Sequence, residues 1–131
     1  MRVGSGYDVH RFVAGRDLFL GGVKIDYHLG LLGHSDADVL IHAVCDALLG
    51  AAALGDIGLH FPDTNPEYKN IYSVKLLEKV CKLVEDKGFE VVNIDTTVFA
   101  QKPKLVSYRE QICEKLSDII KINKDRINFK G

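Results

Sequence analysis

With 131 residues, 47% of them hydrophobic, and a formal net charge of −1, the sequence describes one soluble domain long enough to bury a real core. The 17 basic residues set against 18 acidic ones give no field that would steer nucleic acid or anionic lipid, which leaves a small molecule as the expected partner. The apolar runs fall far short of the roughly 18 residues that cross a bilayer, and Met1-Arg2-Val3-Gly4-Ser5 carries no apolar leader, so a cytoplasmic protein is expected.

In chain order, Arg2 to Phe12 reads as a first strand, interrupted at Gly4 and Gly6 where backbone must bend or approach a neighbour closely. Within it, Asp8 and His10 stand at i and i+2 and so share a side. They are either two metal-competent groups or polar residues facing water on an edge strand. Gly15-Arg16-Asp17 is a turn, and Gly21-Gly22 between Leu18-Phe19-Leu20 and Val23-Lys24-Ile25 signals a hairpin or bulge that pairs locally with the first strand.

The stretch Leu32 to Leu49 predicts the central helix. Ser35 followed by Asp38 and an apolar run has the form of a capping box. At about 100° per residue, Val44, Ala47, Leu48 and Ala51 share one side while Asp38, His42 and Asp46 line the opposite one. Such a polar stripe is ordinarily a solvated face, but Asp8 and His10 upstream change its meaning. Asp8, His10 and His42 together supply an oxygen and two imidazoles, a set that suits zinc and leaves a fourth tetrahedral position open for chemistry. Asp46, one turn past His42, is the nearest carboxylate in sequence to hold that imidazole's second nitrogen. The helix should end near Leu54-Gly55.

Asp56 to Asn70 has no period of its own; its Asp56 and Asp63 either hold hydroxyls of a polyol or a metal-bound water, or are ordinary turn residues beside Gly58 and Pro62. Asn70 or Ser73 caps a second helix with Val74, Leu77, Val80, Leu83 and Val84 on its apolar face, ended by Gly88, and nothing chemical is expected on it. Glu90 to Phe99 alternates β-branched residues as a central strand, and Ala100-Gln101-Lys102-Pro103-Lys104 leaves its carboxyl end, where α/β proteins tend to bind ligands. A third helix from about Ser107 buries Ile112, Leu116, Ile119 and Ile120, and Arg126 to Lys130 starts another strand. Cys45, Cys81 and Cys113 are odd in number and widely spaced, which reads as three buried thiols and no disulfide framework. The sum is an α/β (α+β) sandwich: a mixed β-sheet with helices packed on one face, whose open side calls for closed self-association.

Gly6-Tyr7-Asp8-Val9-His10, Gly33-His34-Ser35-Asp36-Ala37-Asp38 with His42, Asp46 to Ala52, Leu54-Gly55-Asp56-Ile57-Gly58, Phe61-Pro62-Asp63-Thr64 and Pro103-Lys104 together resemble the 2-C-methyl-D-erythritol 2,4-cyclodiphosphate synthases, in order and spacing along the whole chain. The resemblance implies a homotrimer built around its sheets, with active sites between subunits. It implies conversion of 4-diphosphocytidyl-2-C-methyl-D-erythritol 2-phosphate to the cyclodiphosphate with release of CMP, a metal-dependent phosphorus–oxygen lyase step in the non-mevalonate route to isoprenoid precursors.

Carried residue by residue, the resemblance places zinc on Asp8, His10 and His42, with Asp8 and His10 also meeting substrate. His34, the expected catalytic residue, and Ser35 lie on the phosphate side. Asp56, Ile57 and Gly58 hold the erythritol, and Phe61, Pro62, Asp63, Thr64 and Asn65 extend that wall, Asn65 standing where the family more often has Asp. Ala100, Gln101, Lys102, Pro103, Lys104, Leu105 and Val106 of a neighbouring subunit cradle the cytidine. His34 also gains, on this reading, from a helix N-terminus that attracts phosphate.

The family continues past the position of Gly131 with a Thr-Thr-x-Glu segment that assists the transition state and holds a second divalent ion, magnesium or manganese. The 131 residues are therefore expected to form one synthase domain without that segment, binding zinc and cytidine nucleotides while cyclising slowly or not at all. Two other classes fit the same residues: a phosphoester hydrolase using zinc-bound hydroxide, and a silent trimeric binding protein for cytidine nucleotides or prenyl diphosphates.

Overall fold

A computed structural model describes residues 1–68 and 71–131. Ten regular elements follow one another: β1 (Phe12–Ala14), β2 (Leu18–Leu20), β3 (Val23–Ile25), β4 (Leu29–Leu31), α1 (Val39–Ala51), α2 (Ile57–His60), α3 (Ser73–Asp86), β5 (Ile94–Thr97), α4 (Arg109–Ile120) and β6 (Ile127–Lys130), with short 3-10 turns at Pro66–Tyr68, Val106–Tyr108 and Lys124–Arg126.

The expected mixed α/β arrangement is present. Among the described residues the strands pair as three two-stranded ladders instead of one continuous sheet: β1 with β4 and β2 with β3 antiparallel, β5 with β6 parallel. The β2–β3 hairpin turns at Gly21 and Gly22, both at positive φ, as a tight turn between Leu20 and Val23 requires. Its partner is not the first strand, which pairs with β4 in the register Phe12 to Leu31.

The predicted strand over 2–12 is reduced to its last residue, because the segment before Phe12 runs along α1 and forms no ladder with the described residues. A Cβ at Gly4 would stand 1.9 Å from the Ala47 carbonyl oxygen, and one at Gly6 would stand 1.8 Å from that of Ala43. Only glycine lets backbone lie that close to a helix. Ala47 and Ala51, expected in the core, are therefore half-buried under this segment, while α1 turns Leu40, Ile41, Val44, Cys45, Leu48 and Leu49 inward.

Helices α1, α3 and α4 pack around one apolar cluster in which Leu18, Ile25, Ile41, Leu49, Leu77, Val80, Ile112 and Leu116 are fully buried. The α3 and α4 stripes largely follow the predicted helical spacing, with Val74, Leu83 and Ile119 at the margin and Leu76 buried beside them. α3 ends at Gly88 in the left-handed region, and α4 at Lys121 in the same conformation. Cys45 and Cys113 are buried free thiols and Cys81 is half-buried; burial pushes the Cys81 thiol up to about 11, leaving it unreactive. Among the described residues no helix is long and apolar enough to cross a membrane.

Candidate metal centre and active site

Asp38 and Ser35 take roles other than those expected of them. Asp38, expected on the chemical stripe of α1, is 0% exposed and is itself the N-cap. Its carboxylate accepts from the backbone N–H groups of Ile41 at 3.0 Å, Gly21 at 3.0 Å and Gly22 at 2.7 Å, so it locks the helix start to the β2–β3 turn. Burial outweighs those three donors and raises its carboxyl to about 6. The positive end of α1 is thus already occupied by a carboxylate and is not a free phosphate site. Ser35, the expected cap, sits instead at φ 58°, its hydroxyl donating to the Ile71 carbonyl.

Asp8, His10 and His42 converge as predicted, although Asp8 and His10 reach the site from the glycine-bearing segment on α1 and not from a strand. Asp8 Oδ2 lies 3.0 Å from His10 Nε2 and 3.2 Å from His42 Nδ1. For the Asp8 carboxyl, burial is outweighed by the His42 hydrogen bond and by the charges of both imidazoles, so it is held below its ordinary range. Burial likewise opposes charge on His42, but its bond to Asp8 and the nearby acids hold its imidazole above the ordinary value.

The second nitrogen of each imidazole is also occupied. His10 Nδ1 faces the Leu32 carbonyl at 2.6 Å and donates to it, which leaves the lone pair on Nε2 free to bind a cation. Gly33 is required beside this ring: a Cβ there would stand 2.8 Å from His10 Cε1. His42 Nε2 lies 3.0 Å from the hydroxyl of Ser73, which corrects the expectation that α3 bears nothing chemical. Asp46 does not serve His42; its Oδ1 accepts the Ile57 N–H at 2.9 Å and so fastens the start of α2 to the helix that carries His42.

This donor set fits a divalent cation. A tetrahedral ion with bonds of about 2.0–2.1 Å places its donors roughly 3.3 Å apart. The observed 3.0 and 3.2 Å spacings meet that within tenths of an ångström.

The residues expected to meet substrate take the following local positions. Asp56 is the N-cap of α2, accepting the Leu59 N–H at 2.9 Å, with Ile57 and Gly58 in the first turn. His34 Nε2 is 3.4 Å from Asp63 Oδ2, with both side chains more than 70% exposed. Phe61 packs edge-on against Tyr68 at 5.2 Å, and Asn65 accepts the Glu67 N–H, shaping the wall over 61–65 in which Pro62 is half-buried and Thr64 exposed. Asn70, one of the two expected caps of α3, lies outside the described residues. The other, Ser73, is inside the helix, which starts from Tyr72 with no side-chain cap.

Ala100, Pro103 and Leu105 line a cavity of about 230 Å³ together with Asp8 and His10 of the same chain. Leu105 belongs to the core, while Gln101, Lys102, Lys104 and Val106 are exposed. Sequence reasoning passed over Arg16, whose guanidinium donates to the Gly33 and Ser35 carbonyls and ties the His34 loop to the β1–β2 turn. A lone arginine in a turn carries no signal of such a role.

The YgbB family model matches residues 1–131. A 2-C-methyl-D-erythritol 2,4-cyclodiphosphate synthase of Agathobacter rectalis is 63% identical over all 131 residues, which make up 74% of that protein. The bifunctional IspDF of Campylobacter jejuni superposes with a TM-score of 0.94 at 44% identity, over 98% of this chain and 35% of its own. A 2C-methyl-D-erythritol-2,4-cyclodiphosphate synthase solved with CDP superposes with a TM-score of 0.90 at 39% identity, over 98% of this chain and 86% of its own. With a family model spanning every residue and a relative 63% identical over all 131 of them, the chain belongs to the YgbB family.

Proposed function

We propose that the chain carries out the reaction for which its relatives are named, converting 4-diphosphocytidyl-2-C-methyl-D-erythritol 2-phosphate into 2-C-methyl-D-erythritol 2,4-cyclodiphosphate with release of CMP. The observation that carries this reading is the convergence of Asp8, His10 and His42, with the imidazoles oriented by Leu32 and Ser73. Zinc is the cation this oxygen and two-imidazole set suits best, and when bound it neutralises phosphate charge and helps hold the reacting groups in line.

The obstacle in this reaction is electrostatic, since an anionic 2-phosphate must attack the β-phosphorus of the same molecule. Little is asked of a side-chain base; positioning and hydrogen bonding carry the step. His34 donates to the developing charge from an exposed ring beside Asp63, and Ser35 stands with it on the phosphate side. Asp56, Ile57 and Gly58 take the erythritol hydroxyls, with Asp46 fixing that turn from below. A second divalent cation belongs, by the resemblance, to the family's Thr-Thr-x-Glu segment.

The apolar side chains of Val3, Tyr7, Val9, Phe99 and Val106 are all exposed on this chain. They support a homotrimer in which a neighbour covers them and brings its residues 100–106 to the cytidine. The reading includes a cytoplasmic location; among the described residues no helix is long and apolar enough to cross a membrane.

Phosphorus NMR of the reaction with the authentic substrate tests the reading. The cyclic diphosphate and equimolar CMP are expected, without oxygen from labelled water. Incorporation of solvent oxygen would point to a hydrolase, and nucleotide binding with no product from the chain carrying its family C-terminal segment would point to a binding protein.

A further inference from the structure

Ser73 is the first residue of α3, one place past the N-cap position from which a serine hydroxyl accepts from the helix's free N–H groups. Tyr72 precedes it as N-cap and makes no side-chain cap bond. The Ser73 side chain is 0% exposed and turned toward α1, with its oxygen 3.0 Å from His42 Nε2. The same hydroxyl donates to Asp36 Oδ1, and the Ser73 N–H donates to Asp36 Oδ2 at 3.1 Å. Asp36 Oδ1 also accepts the Asp38 N–H at 3.1 Å. One carboxylate from the loop before α1 therefore replaces the missing cap of α3 and leaves the serine free to accept from the imidazole.

The direction of each bond follows from chemistry. An ionised carboxylate only accepts, so the Ser73 proton points at Asp36 and its lone pair faces His42. The imidazole must then donate from Nε2, which leaves the Nδ1 lone pair aimed at Asp8 and the position between the two where a cation is held.

We propose that Ser73 and Asp36 are positioning residues for the cation ligand His42: they select its Nε2-protonated tautomer and hold the ring plane. The inference rests on the metal reading of Asp8, His10 and His42. It adds a coupling between parts of the site, because the same loop holds His34 and is tied to the start of α3 a second time by the Ser35 hydroxyl on the Ile71 carbonyl. A shift of α3 would thus reach the cation ligand and the phosphate-side loop together.

Zinc affinity is measured by competition with a chromophoric chelator on the unaltered chain, Ser73→Ala, Ser73→Thr, Asp36→Asn and, as a control for loosening the start of α3, Val74→Ala. Ser73→Ala should weaken zinc binding about 10- to 100-fold, the range that follows loss of such an outer partner. Asp36→Asn should fall between it and the unaltered chain. Ser73→Thr, which keeps the hydroxyl, should recover most of the loss, and Val74→Ala should bind zinc normally whatever it does to melting.

Nitrogen-15 shifts of His42 in the zinc-loaded, unaltered chain provide a check that needs no variant: Nε2 should carry the proton and Nδ1 the metal. Zinc binding by Ser73→Ala equal to the unaltered chain, an equal loss in Val74→Ala, or metal on Nε2 would each overturn the inference while leaving the metal reading intact. Failure of the unaltered chain to take up zinc would instead overturn the metal reading, and this inference with it.

Discussion

The two histidine clusters of this molecule are built to different standards. In the inner one, the side chains of His10 and His42 are only 17% and 13% exposed and each ring is gripped at both nitrogens, by Asp8 on one edge and by Leu32 or Ser73 on the other. In the outer one, the side chains of His34 and Asp63 are 76% and 72% exposed and meet at 3.4 Å, with no further side-chain partner in the described contacts. A group that must hold a cation needs a fixed tautomer and direction, whereas a group that must follow a phosphate through a reaction needs reach. On the proposed function, the difference separates what is pre-organised before substrate arrives from what substrate itself must order.

The comparison breaks most sharply at His42. His42→Ala leaves two ligands and an uncompensated Asp8, and zinc affinity should fall roughly 100- to 1,000-fold, given that structural sites derive several kcal/mol from each ligand. Metal analysis after equilibration against a zinc buffer measures it, and full retention would remove His42 from the ligand set. Nearly as large is the effect expected at Asp38, where alanine abolishes a helix cap and two bonds to the β2–β3 turn, one buried and one part-buried. Asp38→Ala should cost about 3 kcal/mol in a denaturant titration, because a cap and charge-assisted bonds are lost together.

Acid should distinguish the clusters next. In the metal-free chain the Asp8 carboxyl is lowered from 3.8 and the His42 imidazole raised from 6.5. The stability from Asp8 is present above 3.8 and lost as pH falls through its folded value, and that from His42 is present below 6.5 and lost as pH rises through its own. The pair therefore supports the metal-free fold best between about pH 4 and 6.5, while metal binding, which needs neutral imidazole, strengthens above that window. Melting curves with and without zinc across pH 4 to 8 should diverge toward the alkaline side, and parallel curves would contradict the assignment.

A smaller effect is expected at Asp46, which serves α2 and not the imidazole. Asp46→Ala should cost on the order of 1 kcal/mol in stability. It should raise KM for the erythritol substrate while zinc affinity stays unchanged, and a weakened zinc site would return Asp46 to His42. Smallest is Asp63→Asn: an exposed pair contributes under about 1 kcal/mol, so melting should not move measurably. His34→Ala should likewise leave melting and zinc content alone and lower turnover, which sets the outer histidine apart from the inner two.

Much was legible in the linear sequence. The apolar periods of α3 and α4, the glycine stop at Gly88, the β2–β3 turn at Gly21-Gly22 and the donor set of Asp8, His10 and His42 depend on local geometry or on residue chemistry, and both are written in the order of residues. Tertiary structure decided which side chains those features leave free. Spacing put Asp38, His42 and Asp46 on one stripe, yet Asp38 is consumed by the backbone of Gly21 and Gly22 and Asp46 by that of Ile57. Ser73 lies 31 residues from the imidazole it holds, and Asp36 lies 37 residues from the helix it caps. A polar side chain takes whichever partner the fold brings within about 3 Å, and that partner is fixed only once α1 and α3 have packed together.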